Sequence, residues 1–279
     1  MLNRDVSKWT TPKKILFYTA VIILLLVELF PIFVVISSSF KSARSIFDSN
    51  PFALFSPTLK NYKEVLFERN FINNLINSVI IALTTSLISV SLGSLAAYSL
   101  SRFDFTGKKS IGLGILISRM IPPITLSVPL FILMRKIGIL DTHLVLILAH
   151  ISFILPFIIW MILPFFKGVS KAYEEAALID GCSRMQSFIW VFIPLVAPGL
   201  VVSGIFSFVY SWNDFLYALV LAGSEVQTVP IAVSGFIGQF GPKWGAMTAS
   251  GTLALIPTFI FALALQKYII SGLSVGGID

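Results

Sequence analysis

The side chains that could perform catalysis are few in this chain and widely spaced. His143 and His150 are the only histidines, and Cys182 is the only cysteine. They form no HExxH sequence and no cysteine pair, and no cluster of carboxylates has metal-ligand spacing. The sequence therefore predicts no catalytic site, no metal site and no cofactor in this chain.

A polar segment at residues 167–194 contains residues that are typical of helix ends and turns. Ser170 can cap a helix that has Glu174 and Glu175 near its positive end. Gly181 supplies a turn, and Ser183 can begin a second short helix. The pattern predicts a helix-turn-helix.

The rest of the chain is strongly apolar. Of its 279 residues, 56% are hydrophobic and 12% are charged, whereas soluble domains average about 25% charged residues. Each spanning helix needs roughly 20 apolar residues, so the length predicts an all-α integral membrane protein of about six spans without a second domain. The predicted spans are 15–38, 71–100, 110–134, 144–166, 195–222 and 249–270.

Basic residues near the span ends give the orientation. Eleven of them lie on the side that holds segment 167–194 and eight on the other side, with Arg119 uncounted. This small excess predicts that the segment and both termini face the cytoplasm. The residues on that side are Arg4, Lys8, Lys13, Lys14, Arg102, Lys108, Lys109, Lys167, Lys171, Arg184 and Lys267. The net charge of +7 accompanies no basic run interleaved with aromatics, so nucleic acid is not an expected partner.

Small residues recur every fourth position in the second span, at Thr85, Ser89, Gly93 and Ala97. This spacing places them on one helix face, where another helix can approach closely. The neighbour is either another span of this chain or a partner subunit.

Segment 167–194 also matches a family pattern. Glu175-Ala176-Ala177, then Gly181 after three residues, and later Ile193-Pro194 resemble the EAA loop of ABC importer permeases. The resemblance implies that this loop is a coupling helix that docks into a separate ATPase subunit. The implied coupling residues are Glu174, Glu175, Ala176, Ala177, Asp180, Gly181, Ile193 and Pro194.

The resemblance extends over most of the chain and is strongest to the smaller permease of maltose-type carbohydrate importers. The segments that carry it include NNLINS at 73–78, AAYSLS at 96–101, WNDFLYAL at 212–219 and WGAM at 244–247. It implies a bacterial or archaeal cytoplasmic membrane, a second related permease, two ATPase subunits that bind ATP and Mg²⁺, and an extracytoplasmic sugar-binding protein. The implied function is sugar import by alternating access.

Three further sites are expected. Trp212, Asn213, Asp214 and Tyr217 could contact a sugar in the translocation path or form an aromatic belt with caps, and Arg119 is a costly charge within a span that could line the same path. The resemblance implies binding-protein contacts at Gly238, Gln239, Phe240, Gly241 and Pro242. It also implies that a tail with Gly272, Leu273, Gly276 and Gly277 contacts the ATPases.

Other classes of protein fit the sequence less well. An ion-driven secondary transporter is the main alternative, although the two halves show no convincing repeat. A membrane enzyme would need clustered catalytic side chains, and a channel would need a selectivity filter or a charged ring. The sequence shows neither of these features.

Overall fold

The computed structural model describes residues 10–47, 55–238 and 241–275, and most of their regular structure is helical. Within these ranges five helices are long and apolar enough to cross a membrane, or six if one bent pair counts as a single span. The expected all-α membrane fold with about six spans is confirmed. The chain divides into two compact units.

The first unit combines residues from the beginning of the chain with residues 235–253. Asn61 attaches its own segment to the end of the first helix, because its amide donates to the carbonyls of Ser39 (2.8 Å) and Lys41 (2.9 Å). Gly245 leaves room for this amide, since a Cβ there would lie 2.5 Å from Asn61 Oδ1. The elements are α1 (Thr11–Ser39), α2 (Ala43–Ile46), α3 (Lys60–Lys63), a π-helical turn (Glu64–Glu68), β1 (Ile237–Gly238), β2 (Gly241–Pro242) and the beginning of α13 (Trp244–Val275).

The second unit contains the remaining helices. They are α4 (Phe71–Arg102), α5 (Lys108–Ser118), α6 (Pro123–Ile137), α7 (His143–Gly168), α8 (Lys171–Ile179), α9 (Arg184–Ser187), α10 (Ile193–Trp212), α11 (Leu216–Leu221) and α12 (Val229–Ser234). Helices α4, α7 and α10 pack against one another and form the centre of the unit.

The small residues of α4 pack within the chain. Thr85, Ser89, Gly93 and Ala97 are all buried. A Cβ at Gly93 would lie 2.8 Å from Ile158 Cγ2, so this glycine lets α7 approach closely. Of the two neighbours left open by the sequence, the structure shows a span of the same chain.

The predicted span at 110–134 is not one straight helix. Helices α5 and α6 meet at an angle of 94°. Pro122 and Pro123 cause the break, because a proline disfavours helical backbone in the residue before it, whereas Pro123 is well placed as the first residue of a new helix. The span prediction counted apolar residues and did not include this steric effect.

The predicted span at 195–222 begins earlier and ends earlier. A continuous helical run covers Arg184–Trp212, so α9 continues into α10 through a π-helical turn at Phe188–Phe192. Pro194 has no N–H for the helical ladder, and the widened turn before it lets the helix continue. The helix ends at Trp212, and α11 begins after a break.

Gly199 lets α10 pack closely against Phe165 of α7, since a Cβ there would lie 2.5 Å from Phe165 Cγ. We expect Gly199→Ala to destabilise the protein by about 1–3 kcal/mol, because the two helices must separate or the ring must move. The measurement is thermal unfolding in detergent, followed by intrinsic fluorescence. Gly114→Ala is the control, because nothing lies within 4 Å of its added Cβ; equal losses of Tm in the two variants would contradict this packing.

Candidate functional site

Segment 170–187 folds as a capped helical hairpin, which we call the coupling hairpin. Ser170 accepts a hydrogen bond from the Ala172 N–H (3.3 Å) and begins α8. Ser183 begins α9 through a reciprocal capping box with Gln186. Both N-caps predicted from the sequence are therefore present.

Gly181 makes the turn of the coupling hairpin. Its φ is +86°, a backbone conformation that penalises side chains. Its N–H donates to the Leu178 carbonyl (3.1 Å), and the Cys182 N–H donates to the Ala177 carbonyl (2.9 Å). These two bonds form a Schellman motif. A Cβ at Gly181 would meet no atom within 4 Å, so backbone conformation alone requires glycine here.

Helix α8 has a buried face and an exposed face. Glu174 and Ala177 are buried, at 8% and 7% exposure, whereas Glu175, Ala176 and Ile179 are exposed. The exposed face is largely apolar, and Ile179 is 85% exposed. The two adjacent glutamates therefore point into different surroundings.

The buried Glu174 carboxylate contacts two other helices. Tyr98 Oη of α4 donates a hydrogen bond to Glu174 Oε1 at 2.8 Å. Arg102 Nε, also on α4, lies 3.9 Å from Oε2, and Arg184 Nη1 of α9 lies 3.8 Å from Oε1. Glu174 thus fastens the coupling hairpin to the end of α4.

Arg102 extends the same cluster to α7 and to the π-helical turn that precedes α10. Its Nη2 donates to the carbonyls of Phe166 (3.0 Å) and Val169 at the end of α7. Its guanidinium also lies over the Phe192 ring, 4.5 Å from the centroid. We call Tyr98, Arg102, Glu174 and Arg184 the hairpin cluster.

The other predicted coupling residues lie beside these elements. Asp180 is exposed and is the C-cap of α8. Ile193 is half-buried and Pro194 is exposed, at the beginning of α10. All eight predicted residues thus lie on α8, its C-cap and turn, or the first turn of α10.

The residues predicted for the translocation path lie mainly at the break between α10 and α11. Trp212 is buried and stacks on Phe208, with 5.6 Å between centroids. Asn213 is exposed and its amide donates to the Val209 carbonyl, and Tyr217 is buried. Arg119 is elsewhere, just after α5, with its guanidinium 4.4 Å from the Phe157 centroid.

A buried histidine joins this break to α7. Asp214 caps α11 by accepting from the N–H groups of Tyr217 (3.0 Å) and Ala218 (3.2 Å). His150 Nε2 lies 3.2 Å from Asp214 Oδ2, as a close contact rather than an aligned hydrogen bond, and Nδ1 lies 2.7 Å from Ser211 Oγ. Sequence reasoning missed His150, and its only signal is a single imidazole within an apolar helix.

Asp141 lies just before α7, at the end of this helix that is opposite the coupling hairpin, and it holds the segment that follows α11. Its carboxylate accepts from the N–H groups of Gly223 (2.7 Å), Val226 (3.0 Å) and Glu225 (3.1 Å). Burial raises the pKa of this carboxyl, but the backbone hydrogen bonds outweigh burial, so the pKa lies below its usual value. We call these three hydrogen bonds the Asp141 clasp, and they are strongest when the carboxylate is ionised.

We expect Asp141→Asn to lower Tm at neutral pH, because an amide accepts fewer hydrogen bonds than a carboxylate. The lowered pKa stabilises the fold above the unfolded pKa, about 3.9, and this stabilisation is lost as pH falls through the lowered value. The Tm difference between wild type and variant should therefore shrink only under strongly acidic conditions. Asp104→Asn is the control, because Asp104 pairs with Lys108 on the surface; equal effects would contradict the clasp.

The two remaining predicted sites are described only in part. Gly238 faces Gly241 in the two-stranded hairpin, and Pro242 ends it, while Gln239 and Phe240 lie outside the described residues. The backbone of Gly272 and Leu273 is helical, within α13. Gly276 and Gly277 lie outside the described residues.

The membrane spans and the polar hairpin between α7 and α10 fit the architecture of a membrane transporter permease. A family profile described as "Binding-protein-dependent transport system inner membrane component" matches residues 89–275. The chain belongs to this family.

Relatives match over nearly the full length. The trehalose/maltose transport system permease protein MalG of Thermococcus litoralis is 35% identical, over 95% of this chain and 97% of the relative. The trehalose transport system permease protein SugB of Mycobacterium tuberculosis is 38% identical, over 90% and 92%. A chain of a bacterial ABC transporter that imports alginate has the same fold, with a TM-score of 0.78 and 21% identity over 94% of this chain and 99% of that one.

Proposed function

We propose that this chain is the membrane-spanning subunit of an ATP-driven importer and carries a sugar, a di- or oligosaccharide, into the cytoplasm by alternating access. The observation that carries the proposal is the coupling hairpin, which is fastened to the spans on one face and open on the other. Membership of a binding-protein-dependent transport family supports the direction of transport. The names of relatives that transport trehalose and maltose support a sugar as substrate.

The end of the spans that carries the coupling hairpin faces the cytoplasm in this proposal. Lys108, Lys109, Lys167 and Lys171 lie at this end, as expected from the excess of basic residues in cytoplasmic loops. Both termini would then be cytoplasmic, in a bacterial or archaeal cytoplasmic membrane.

The exposed face of α8 is the docking surface for the ATPase in this proposal. Ala176 permits close approach, Ile179 offers apolar area, and Glu175 is the acidic side chain available to pair with a basic residue. Glu174 is not available, because Tyr98 and two arginines hold it within the chain.

The complete importer in this proposal has five subunits. A second related permease pairs with this chain, two identical ATPase subunits bind ATP and Mg²⁺, and a sugar-binding protein delivers the substrate on the outer side. Gly238–Pro242 would contact the binding protein, and the segment from Gly272 to Gly277 would contact the ATPases. Hydrolysis would occur in the ATPase subunits and not in this chain.

Uptake in proteoliposomes tests the proposal. We expect labelled trehalose or maltose to accumulate when the full complex receives loaded binding protein outside and ATP inside. Ionophores that collapse Na⁺ and H⁺ gradients should leave uptake unchanged. Uptake by this chain alone that stops with ionophores would identify a secondary transporter instead.

A further inference from the structure

We propose that the buried Glu174 is a positioning residue that locks the coupling hairpin to the spans, so that movement of the hairpin carries the ends of α4, α7 and α10 with it. The proposal rests on the proposed docking of the hairpin to an ATPase. It assigns the two neighbouring glutamates different tasks, with Glu175 on the docking face and Glu174 in the lock.

The cost of burial gives the first argument. A carboxylate with 8% exposure is costly unless charges and hydrogen bonds compensate it. Here one hydroxyl donates to Glu174 and two guanidinium groups lie within 4 Å of it. The carboxylate is therefore stable only where these groups surround it, which fixes the position of α8.

The connections of the cluster give the second argument. Tyr98 and Arg102 are one helical turn apart on α4, and Arg184 begins the helical run that continues into α10. Arg102 also holds two carbonyls at the end of α7. Glu174 thus joins α8 directly to α4 and α9, and it is linked to α7 through Arg102 and to α10 through the helical run that begins at Arg184.

An aromatic cluster makes the connection stiff. The Tyr98 ring packs edge-on or tilted against Phe188 and Phe192, with 5.1 Å between centroids in both pairs, and against Phe166 at 6.2 Å. These rings come from α4, α7 and the π-helical turn before α10. Because packed aromatic rings deform little, displacement of α8 should move the span ends together rather than be absorbed in the turn.

Two readouts test the lock with Glu174→Gln, which keeps size and an acceptor for Tyr98 but removes the charge. In the full transporter, we expect the sugar transported per ATP hydrolysed to fall about tenfold, while the ATPase subunits still copurify. Spin labels at Ala172→Cys and Asp104→Cys, in a Cys182→Ser background, should show a broader distance distribution after the substitution. Tyr98→Phe removes only the hydrogen bond and should change both readouts in the same direction, less strongly.

Glu175→Gln and Ala176→Trp separate the lock from the docking proposal. Both should reduce copurification of the ATPase and leave the label distances narrow. An unchanged transport ratio together with unchanged distances in Glu174→Gln and Tyr98→Phe would overturn the lock. Copurification unaffected by Ala176→Trp would overturn docking at this face, whereas the distance measurement on Glu174→Gln would still decide whether the lock exists.

Discussion

Replacing Gly181 with valine is expected to reduce ATP-dependent sugar uptake to background. The residue needs a φ of +86°, which costs a β-branched side chain of order 1–3 kcal/mol. The turn can relieve this strain only by breaking the Schellman bonds that set the angle between α8 and α9. Uptake of labelled sugar in proteoliposomes measures the loss.

Gly138→Val is the matched control for Gly181→Val. Gly138 ends α6 with a φ of +79° and, like Gly181, has no atom within 4 Å of an added Cβ. Both variants therefore carry similar backbone strain, but only Gly181 lies in the coupling hairpin. Equal loss of uptake in the two variants would show that strain alone is responsible and would contradict the coupling role.

Replacing Arg102 with alanine is expected to give the largest loss of stability, about 3 kcal/mol, because it leaves the buried Glu174 short of positive charge. The Arg102 side chain is 4% exposed and also holds the Phe166 and Val169 carbonyls. The measurement is Tm in detergent for the full chain. Arg135→Ala, at an exposed position of α6, is the control and should leave Tm nearly unchanged. If Arg102→Ala also had nearly the Tm of the wild type, the hairpin cluster would not be important for stability.

The features that follow from local sequence rules were predictable. Ser170 and Ser183 are predicted as helix N-caps and Gly181 as a turn residue, because these roles depend only on neighbouring residues in the chain. The hairpin has both caps and the turn. The small-residue face of α4 was also predictable from spacing, although only the structure identifies Ile158 of α7 as its neighbour.

The features that depend on tertiary contacts were not predictable. Glu174 and Glu175 are chemically identical in the sequence, and only the packing of α8 buries the first. His150 is separated from Ser211 and Asp214 by about 60 residues of chain. The break between α5 and α6 did have a local signal at Pro122-Pro123, which hydropathy alone does not weigh.

ATP hydrolysis by the assembled complex tests the central claim most directly. The chain is tagged and purified with candidate partner permease, ATPase and binding protein, and hydrolysis is measured with and without sugar-loaded binding protein. We expect the loaded binding protein to stimulate hydrolysis several-fold, and Gly181→Val to abolish the stimulation. Failure of any ATPase to copurify, with uptake by this chain alone driven by an ion gradient, would contradict the account.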